Sequence, residues 1–249
     1  MLTALPAPNA PIPTAPAALV ATLDRTRQQL HSAIRGWDTS QPAPRSVVLL
    51  ALYEQRAIRL AAGNPRLAAR VVRLDPALRD DVIARTDLTR LSASTPSPKA
   101  PPRLGAPARA VRLVAWYREA ARRFHIRWQL LAAINFVESA FNRVRNVSGA
   151  GAQGPMQFEP ATWKAYGLGG DVREPHDAIL GAANYLAASN ARHDERTALY
   201  HYNHSPLYVD AILRYARRMQ HDRYAFYEYY SWQVYFRTAT GYRRLTGPR

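Results

Sequence analysis

The chain has 249 residues, 47% of them hydrophobic, and a formal net charge of +16, with arginine supplying all but two of its 34 basic residues. This length allows at most two domains and a sizeable core. The lack of cysteine excludes disulfides and thiolate zinc sites, and the longest apolar run, Val47 to Tyr53, is too short to span a bilayer. The positive charge favours anionic surroundings, although no basic run is dense enough for a nucleic-acid-binding arm.

The N-terminal part of the chain predicts a short leader and then a small helical domain. Residues 1–16 are rich in proline and alanine, so we expect an extended leader or tether that does not pack. They lack the charged and apolar regions of a signal peptide. Apolar residues then recur at helical spacing, which predicts four helices at about residues 17–37, 46–62, 66–74 and 75–91. No cluster of polar residues in this domain, residues 17–91, indicates a function.

A linker and a second helical domain follow. Residues 92–108, rich in Pro, Ser and Ala, are the clearest linker of the chain. From Val111 the helical period returns, and no sustained alternation of apolar and polar residues requires a sheet. We therefore predict an all-α fold in which residues 109–222 form a second helical domain. We expect the tyrosine-rich extension, residues 223–249, to pack on that domain.

Glu138 is the candidate catalytic residue. It lies near the end of an apolar segment that begins at Trp128, and the next acid along the chain is Glu159. Apolar surroundings raise the pKa of a carboxyl group, and the negative end of a helix dipole acts in the same direction. Both effects favour a protonated carboxyl group near neutral pH, as a general acid at a glycosidic oxygen requires. A solvated helix residue is the alternative interpretation.

Two other patterns are weak. The turn Gly149-x-Gly151-x-x-Gly154 matches a dinucleotide fingerprint in letters, but an apolar helix precedes it where that fingerprint needs a strand. We interpret it as a tight loop that lets backbone approach a ligand. His201 and His204 offer two ligands without a third, so we predict no metal site and no cofactor.

Several ordered motifs resemble the catalytic domain of bacterial lytic transglycosylases of the soluble (SLT) type, which has a goose-lysozyme-like fold. The N-terminal helices and the aromatic tail also look like parts of secreted actinobacterial members. The motifs cover about residues 111–220 and are Glu138-Ser-Ala-Phe-Asn142, Ser148-Gly-Ala-Gly-Ala-Gln-Gly-Pro-Met-Gln-Phe-Glu-Pro-Ala-Thr-Trp163, Tyr166-Gly-Leu-Gly-Gly-Asp171, Asp177-Ala-Ile-Leu-Gly-Ala-Ala-Asn-Tyr-Leu186 and Tyr202-Asn-His-Ser205.

This resemblance implies cleavage of the bond between N-acetylmuramic acid and N-acetylglucosamine in peptidoglycan, with 1,6-anhydro ends as products. Glu138 would be acid and then base, and the Tyr-Asn pair would hold that acid and line the groove. Met156 and Phe158 would flank the sugar. The residues expected to bind substrate are Ser148, Gln153, Met156, Gln157, Phe158, Tyr202 and Asn203.

The resemblance also implies a location outside the cytoplasm, in association with the cell wall, where the basic surface would meet peptidoglycan strands and anionic wall polymers. One position departs from the family pattern, because Glu159 stands where an apolar residue is common. We expect its side chain to face solvent. The alternatives are a muramidase that hydrolyses the same bond with Glu159 or Asp171 as helper, and a non-catalytic wall-binding protein.

Overall fold

A computed structural model describes residues 4–95 and 100–248. The described residues divide into two compact units: a terminal unit within Met1–Ser97 and Arg217–Arg249, and a central unit within Pro98–Ala216. The fold is all-α apart from one hairpin, as predicted. Its helices are α1 (Pro16–Arg35), α2 (Arg45–Ala62), α3 (Pro65–Leu74), α4 (Arg79–Ala93), α5 (Ala110–Phe124), α6 (Trp128–Ser139), α7 (Pro160–Tyr166), α8 (Pro175–Ala188), α9 (Glu195–Tyr202), α10 (Pro206–His221) and α11 (Ala225–Ser231), with a 3₁₀ turn at Pro76–Leu78.

In the terminal unit, α1 packs on α2 and α3, and α2 also packs on α4 and α11. The predicted apolar face of α1, including Leu19, Leu23 and Leu30, is fully buried. The helix α3 begins after Asn64, whose side chain accepts hydrogen bonds from the backbone N–H groups of Arg66 and Leu67 and so caps the helix.

The terminal unit contains a hairpin after α11, which we did not predict from the sequence. Strands β1 (Tyr235–Thr238) and β2 (Gly241–Arg244) pair antiparallel, with Tyr235 opposite Arg244. These strands show no alternation of apolar and polar residues, because arginine lies on both faces: Arg237 and Arg244 share one face with the two tyrosines, and Arg243 shares the other with Phe236. Their rings instead contact cations of the helices.

The aromatic extension belongs with the N-terminal helices, whereas we expected it to pack on the domain formed by residues 109–222. The described residues from Arg217 onward belong to the terminal unit, and α11 packs on α2. The rings of Trp37 and Tyr230 have centroids 5.9 Å apart, and Gln55 exchanges hydrogen bonds of 2.8 Å with the backbone of Gln233. The physical reason is that buried polar and aromatic groups of α1 and α2 find their partners in this segment.

The proline-rich leader packs, in contrast to our expectation of a free tether. The carbonyl groups of Pro8 and Ala10 accept hydrogen bonds from Arg56, and that of Pro11 accepts one from Tyr53. Proline-rich backbone has unpaired carbonyl groups that suit such donors. Residues 1–3 lie outside the described residues.

In the central unit, α5 packs on α6 and α8, and α8 also contacts α7 and α9. The second half of the predicted linker belongs to this unit, and its Leu104 pairs with Val144 in a short antiparallel bridge. Residues 96–99 of that linker lie outside the described residues. The other predicted domain boundaries remain proposals.

Candidate active site

The centre of the candidate site is Glu138, in the last turn of α6. The helix is buried along Leu130 to Asn135, and it ends because Ala140 adopts a left-handed conformation, with φ of 50°. The carboxyl group therefore leaves an apolar helix at its C-terminal end. Burial raises the pKa of Glu138 to about 7, while a hydrogen bond from Tyr208 lowers it. The predicted direction of the shift is confirmed.

Tyr208 is the side chain that holds this carboxyl group. Its hydroxyl donates a hydrogen bond of 2.6 Å to Oε1 of Glu138, and the ring is buried, with 2% of its surface exposed. Burial and the charge of Glu138 together place the pKa of Tyr208 well above its usual value, so the phenol keeps its proton. Sequence reasoning missed this residue, since a tyrosine on the buried face of a helix resembles any core aromatic residue.

Tyr202, which we expected to hold the acid, has a different partner. Its hydroxyl donates a hydrogen bond of 2.7 Å to the carbonyl oxygen of Met156. The Met156 side chain is fully buried and does not line the cavity, although we expected it to flank the sugar. Tyr202 thereby fixes the loop in front of Glu138.

The loop between α6 and α7 forms one wall of the site. The Ser148 hydroxyl accepts a hydrogen bond of 3.0 Å from the backbone N–H of Ala152, and Gln153 and Phe158 form a reciprocal pair of backbone hydrogen bonds of 2.8 Å. The turn inside this pair requires glycine at Gly154, which has φ of +73°, because a Cβ atom there would lie 1.8 Å from the carbonyl oxygen of Val172.

Buried hydrogen bonds tie the end of α6 to the same loop. Asn135 Nδ2 and Ser139 Oγ both donate to the carbonyl oxygen of Pro155, at 2.9 and 2.7 Å. The Asn135 side chain also accepts a hydrogen bond of 2.5 Å from Tyr117 of α5. Because each polar atom of this buried group has a partner, the group fixes the distance between α6 and the loop.

These elements enclose a cavity of about 360 Å³. Five predicted site residues line it beside Glu138, namely Ser148, Gln157, Phe158, Tyr202 and Asn203, and further lining residues include Thr162, Tyr185, His201 and His204. Rings of Phe158, Tyr185 and Tyr202 form one side, with centroids 5.7 to 6.4 Å apart. A polar acid beside a wall of aromatic rings suits a sugar ligand.

Two predicted site residues, Gln153 and Met156, do not line the cavity, whereas Glu159, which was not in the predicted set, does. The side-chain oxygen of Gln153 accepts a hydrogen bond of 3.4 Å from Arg173. Glu159 is exposed, as expected, but it also lines the cavity that holds Glu138. The site therefore contains two carboxyl groups. That of Glu138 is half-buried, and that of Glu159 is exposed at the N-terminus of α7.

The site contains no arrangement typical of a dinucleotide fold. The helix α6, rather than a strand, precedes the glycine-rich loop.

His201 and His204 both line the cavity, and the Tyr185 hydroxyl donates a hydrogen bond of 3.0 Å to the carbonyl oxygen of His201.

Comparison with known proteins finds one family model that matches part of the chain. Residues 116–224 match the family model described as Transglycosylase SLT domain. This stretch includes all residues that line the cavity. No solved structure matches the chain.

Proposed function

We propose that Glu138 acts alone as both acid and base of a peptidoglycan lytic transglycosylase, since residues 116–224 match the family model of the Transglycosylase SLT domain. The observation that carries this proposal is the position of Glu138, which lines the cavity at the end of an apolar helix and accepts a hydrogen bond from Tyr208. Burial there raises the pKa of Glu138 to about 7, so that the protonated form is present near neutral pH. A protonated carboxyl group can donate to the glycosidic oxygen.

The proposed reaction proceeds in two proton transfers. Glu138 donates its proton to the leaving O4 of N-acetylglucosamine while the bond from that oxygen to C1 of N-acetylmuramic acid breaks. The substrate's 2-acetamido group stabilises C1. The C6 hydroxyl then attacks C1 and gives its proton to the Glu138 carboxylate, which closes the 1,6-anhydro ring and regenerates the acid. Holding the C6 hydroxyl close to C1 replaces a bimolecular attack by water.

In this proposal Tyr208 positions the Glu138 carboxyl group and stabilises its ionised form between the two proton transfers. The phenol does so because its hydrogen bond lowers the free energy of the carboxylate. The aromatic wall of Phe158, Tyr185 and Tyr202 supports the sugar rings. Ser148, Gln157 and Asn203 are proposed to bind polar substituents of the sugars, since they line the same cavity.

A second candidate reaction is hydrolysis of the same bond, and the position of Glu159 in the cavity favours it. A hydrolase requires a second carboxylate as base or nucleophile. An exposed carboxylate at the cavity rim is a candidate for that role.

Digestion of purified peptidoglycan by Glu138→Gln and Glu159→Gln tests the assignment. We expect loss of all soluble fragments with Glu138→Gln and near-normal release with Glu159→Gln. The two variants remove one carboxylate each from the same cavity, so each is the control of the other. Equal losses in both variants would move the assignment to the hydrolase.

We propose a location outside the cytoplasm, at the cell wall, because the substrate lies there. Of the helices that the structure describes, none is long and apolar enough to cross a membrane.

A further inference from the structure

Two adjoining cavities in the terminal unit are lined by arginine and tyrosine. Their volumes are about 600 and 460 Å³, and they share Arg56, Tyr235 and Tyr242. Together they form what we call the arginine cleft. Its lining contains the arginines Arg56, Arg59, Arg85, Arg243 and Arg244, and no acidic residue is among its described lining residues.

Neutral groups hold several of these cations in place. Arg56 Nη1 donates to the carbonyl oxygens of Pro8 and Ala10, at 3.2 and 2.8 Å. Arg244 donates to the carbonyl oxygens of Pro8 and Pro248, at 3.2 and 2.8 Å. Carbonyl groups orient a guanidinium without neutralising its charge. The leader and the C-terminal residues thus pre-organise the positive charges of the cleft.

Tyrosine rings order a third cation. The guanidinium of Arg59 lies 4.0 Å from the ring centroid of Tyr235 and 4.5 Å from that of Tyr242. Stacking on an aromatic face leaves the edges of a guanidinium available for hydrogen bonds in its plane. Tyr242 is 41% exposed, so it also offers an apolar ring face at the mouth of the cleft.

Guanidinium groups that line one cleft together repel one another, and an anion that enters the cleft relieves that repulsion. Guanidinium groups bind carboxylates through paired hydrogen bonds. The anion must also suit an exposed aromatic ring. Peptidoglycan combines both features, because its stem peptides carry carboxylates and its strands are made of sugar rings.

We propose that the arginine cleft is a second, non-catalytic binding site for peptidoglycan strands, which it recognises through stem-peptide carboxylates. This proposal rests on the peptidoglycan substrate of the catalytic domain, and it is independent of the product that Glu138 forms. The site retains the enzyme on its polymeric substrate between cleavage events.

Co-sedimentation of the full chain with purified peptidoglycan, freed of phosphate-bearing polymers, tests this proposal. All proteins carry Glu138→Gln so that the polymer stays intact. The test protein adds Arg85→Gln and Arg243→Gln, which remove two charges from the cleft. The control adds Arg70→Gln and Arg73→Gln, which remove two exposed charges of α3 that line neither cavity.

We expect the cleft variant to bind roughly five- to tenfold more weakly at low salt, as the loss of two charge pairs predicts, and the α3 variant to bind as its parent does. Equal binding by the two variants would overturn the proposal. Binding only to walls that keep their phosphate polymers would also overturn it, as would cleft-dependent binding of a single-stranded oligonucleotide but not of peptidoglycan. Soluble fragments released by the Glu138→Gln parent would instead contradict the proposed role of Glu138.

Discussion

Burial and the contact with Tyr208 act in opposite directions on the pKa of Glu138. Burial raises the pKa of Glu138 to about 7, even though the hydrogen bond of 2.6 Å from Tyr208 stabilises the ionised carboxylate and lowers that pKa. Since the first step of the proposed reaction needs the protonated form of Glu138, we expect activity to fall as pH rises through about 7.

We therefore predict that Tyr208→Phe shifts the alkaline limb of the pH–activity profile to higher pH, because it removes a bond that favours the charged form. The rate below that limb should fall by about tenfold or more, since the acid loses its positioning partner. Rates of peptidoglycan solubilisation between pH 5 and 9 measure both effects.

Tyr202→Phe is the matched control, because its hydroxyl bonds to Met156 and not to Glu138. It should leave the alkaline limb where it is in the wild type. A limb that moves equally in both variants, or in neither, would show that Tyr208 does not set the pKa of the acid.

Residue types and spacing could identify Glu138 but not its partner. An acid at the end of an apolar helix stands out in a sequence, because most glutamates lie among polar residues. Tyr208 shares the buried face of α10 with Ile212 and Tyr215, and the spacing of these residues predicts a core face alone. Only the packing of α10 beside α6 distinguishes it.

At the scale of elements, the loop between α6 and α7 is held by its glycine and its backbone pairs. Gly154 lies inside the turn closed by Gln153 and Phe158, and the space for a side chain is filled by Val172. A change there displaces the wall of the cavity without touching Glu138.

We predict that Gly154→Ala destabilises the protein by about 2 kcal/mol or more, because a positive φ and a steric clash act together. Activity should fall in parallel. Gly149→Ala is the control in the same loop, since a Cβ atom there meets nothing within 4 Å. Chemical denaturation of both variants measures the difference, and equal free energies of unfolding would contradict this account of the loop.

Helices with a clear apolar period were predictable, and the elements held by charged or aromatic contacts were not. The bounds predicted for α2 and α3 agree with the structure to within one residue. The hairpin β1–β2 depends on Arg59 of α2, which stacks on Tyr235 and Tyr242. A pairing between distant parts of a sequence leaves no local pattern.

At the scale of the whole molecule, buried ion pairs join the two ends of the chain within the terminal unit. The carboxylate of Asp81 is fully buried and contacts both Arg27 and Arg218, and the Tyr229 hydroxyl donates to it. Arg218 also binds Asp222 and Glu228, at 2.5 and 3.0 Å. The sequence alone could not reveal this network, because it does not show which charged side chains are buried.

We predict that Asp81→Asn destabilises the terminal unit by about 3–5 kcal/mol, since it breaks the buried ion pairs of Asp81 with both Arg27 and Arg218. Arg27 then keeps its pair with Glu54, and Arg218 keeps its pairs with Asp222 and Glu228. Asp24→Asn, at an exposed position of α1, should change the free energy of unfolding by less than about 0.5 kcal/mol. Thermal or chemical unfolding measures both. A small effect of Asp81→Asn would mean that the network does not join the ends of the chain.

We expect Glu138 to cleave peptidoglycan without water, and digestion in ¹⁸O-labelled water distinguishes this reaction from hydrolysis. If the C6 hydroxyl attacks C1, mass spectrometry of the soluble products should show 1,6-anhydro ends that are one water lighter than reducing ends and carry no label. Reducing ends that each contain one ¹⁸O atom would contradict the account and make Glu159 the base or nucleophile of a hydrolase.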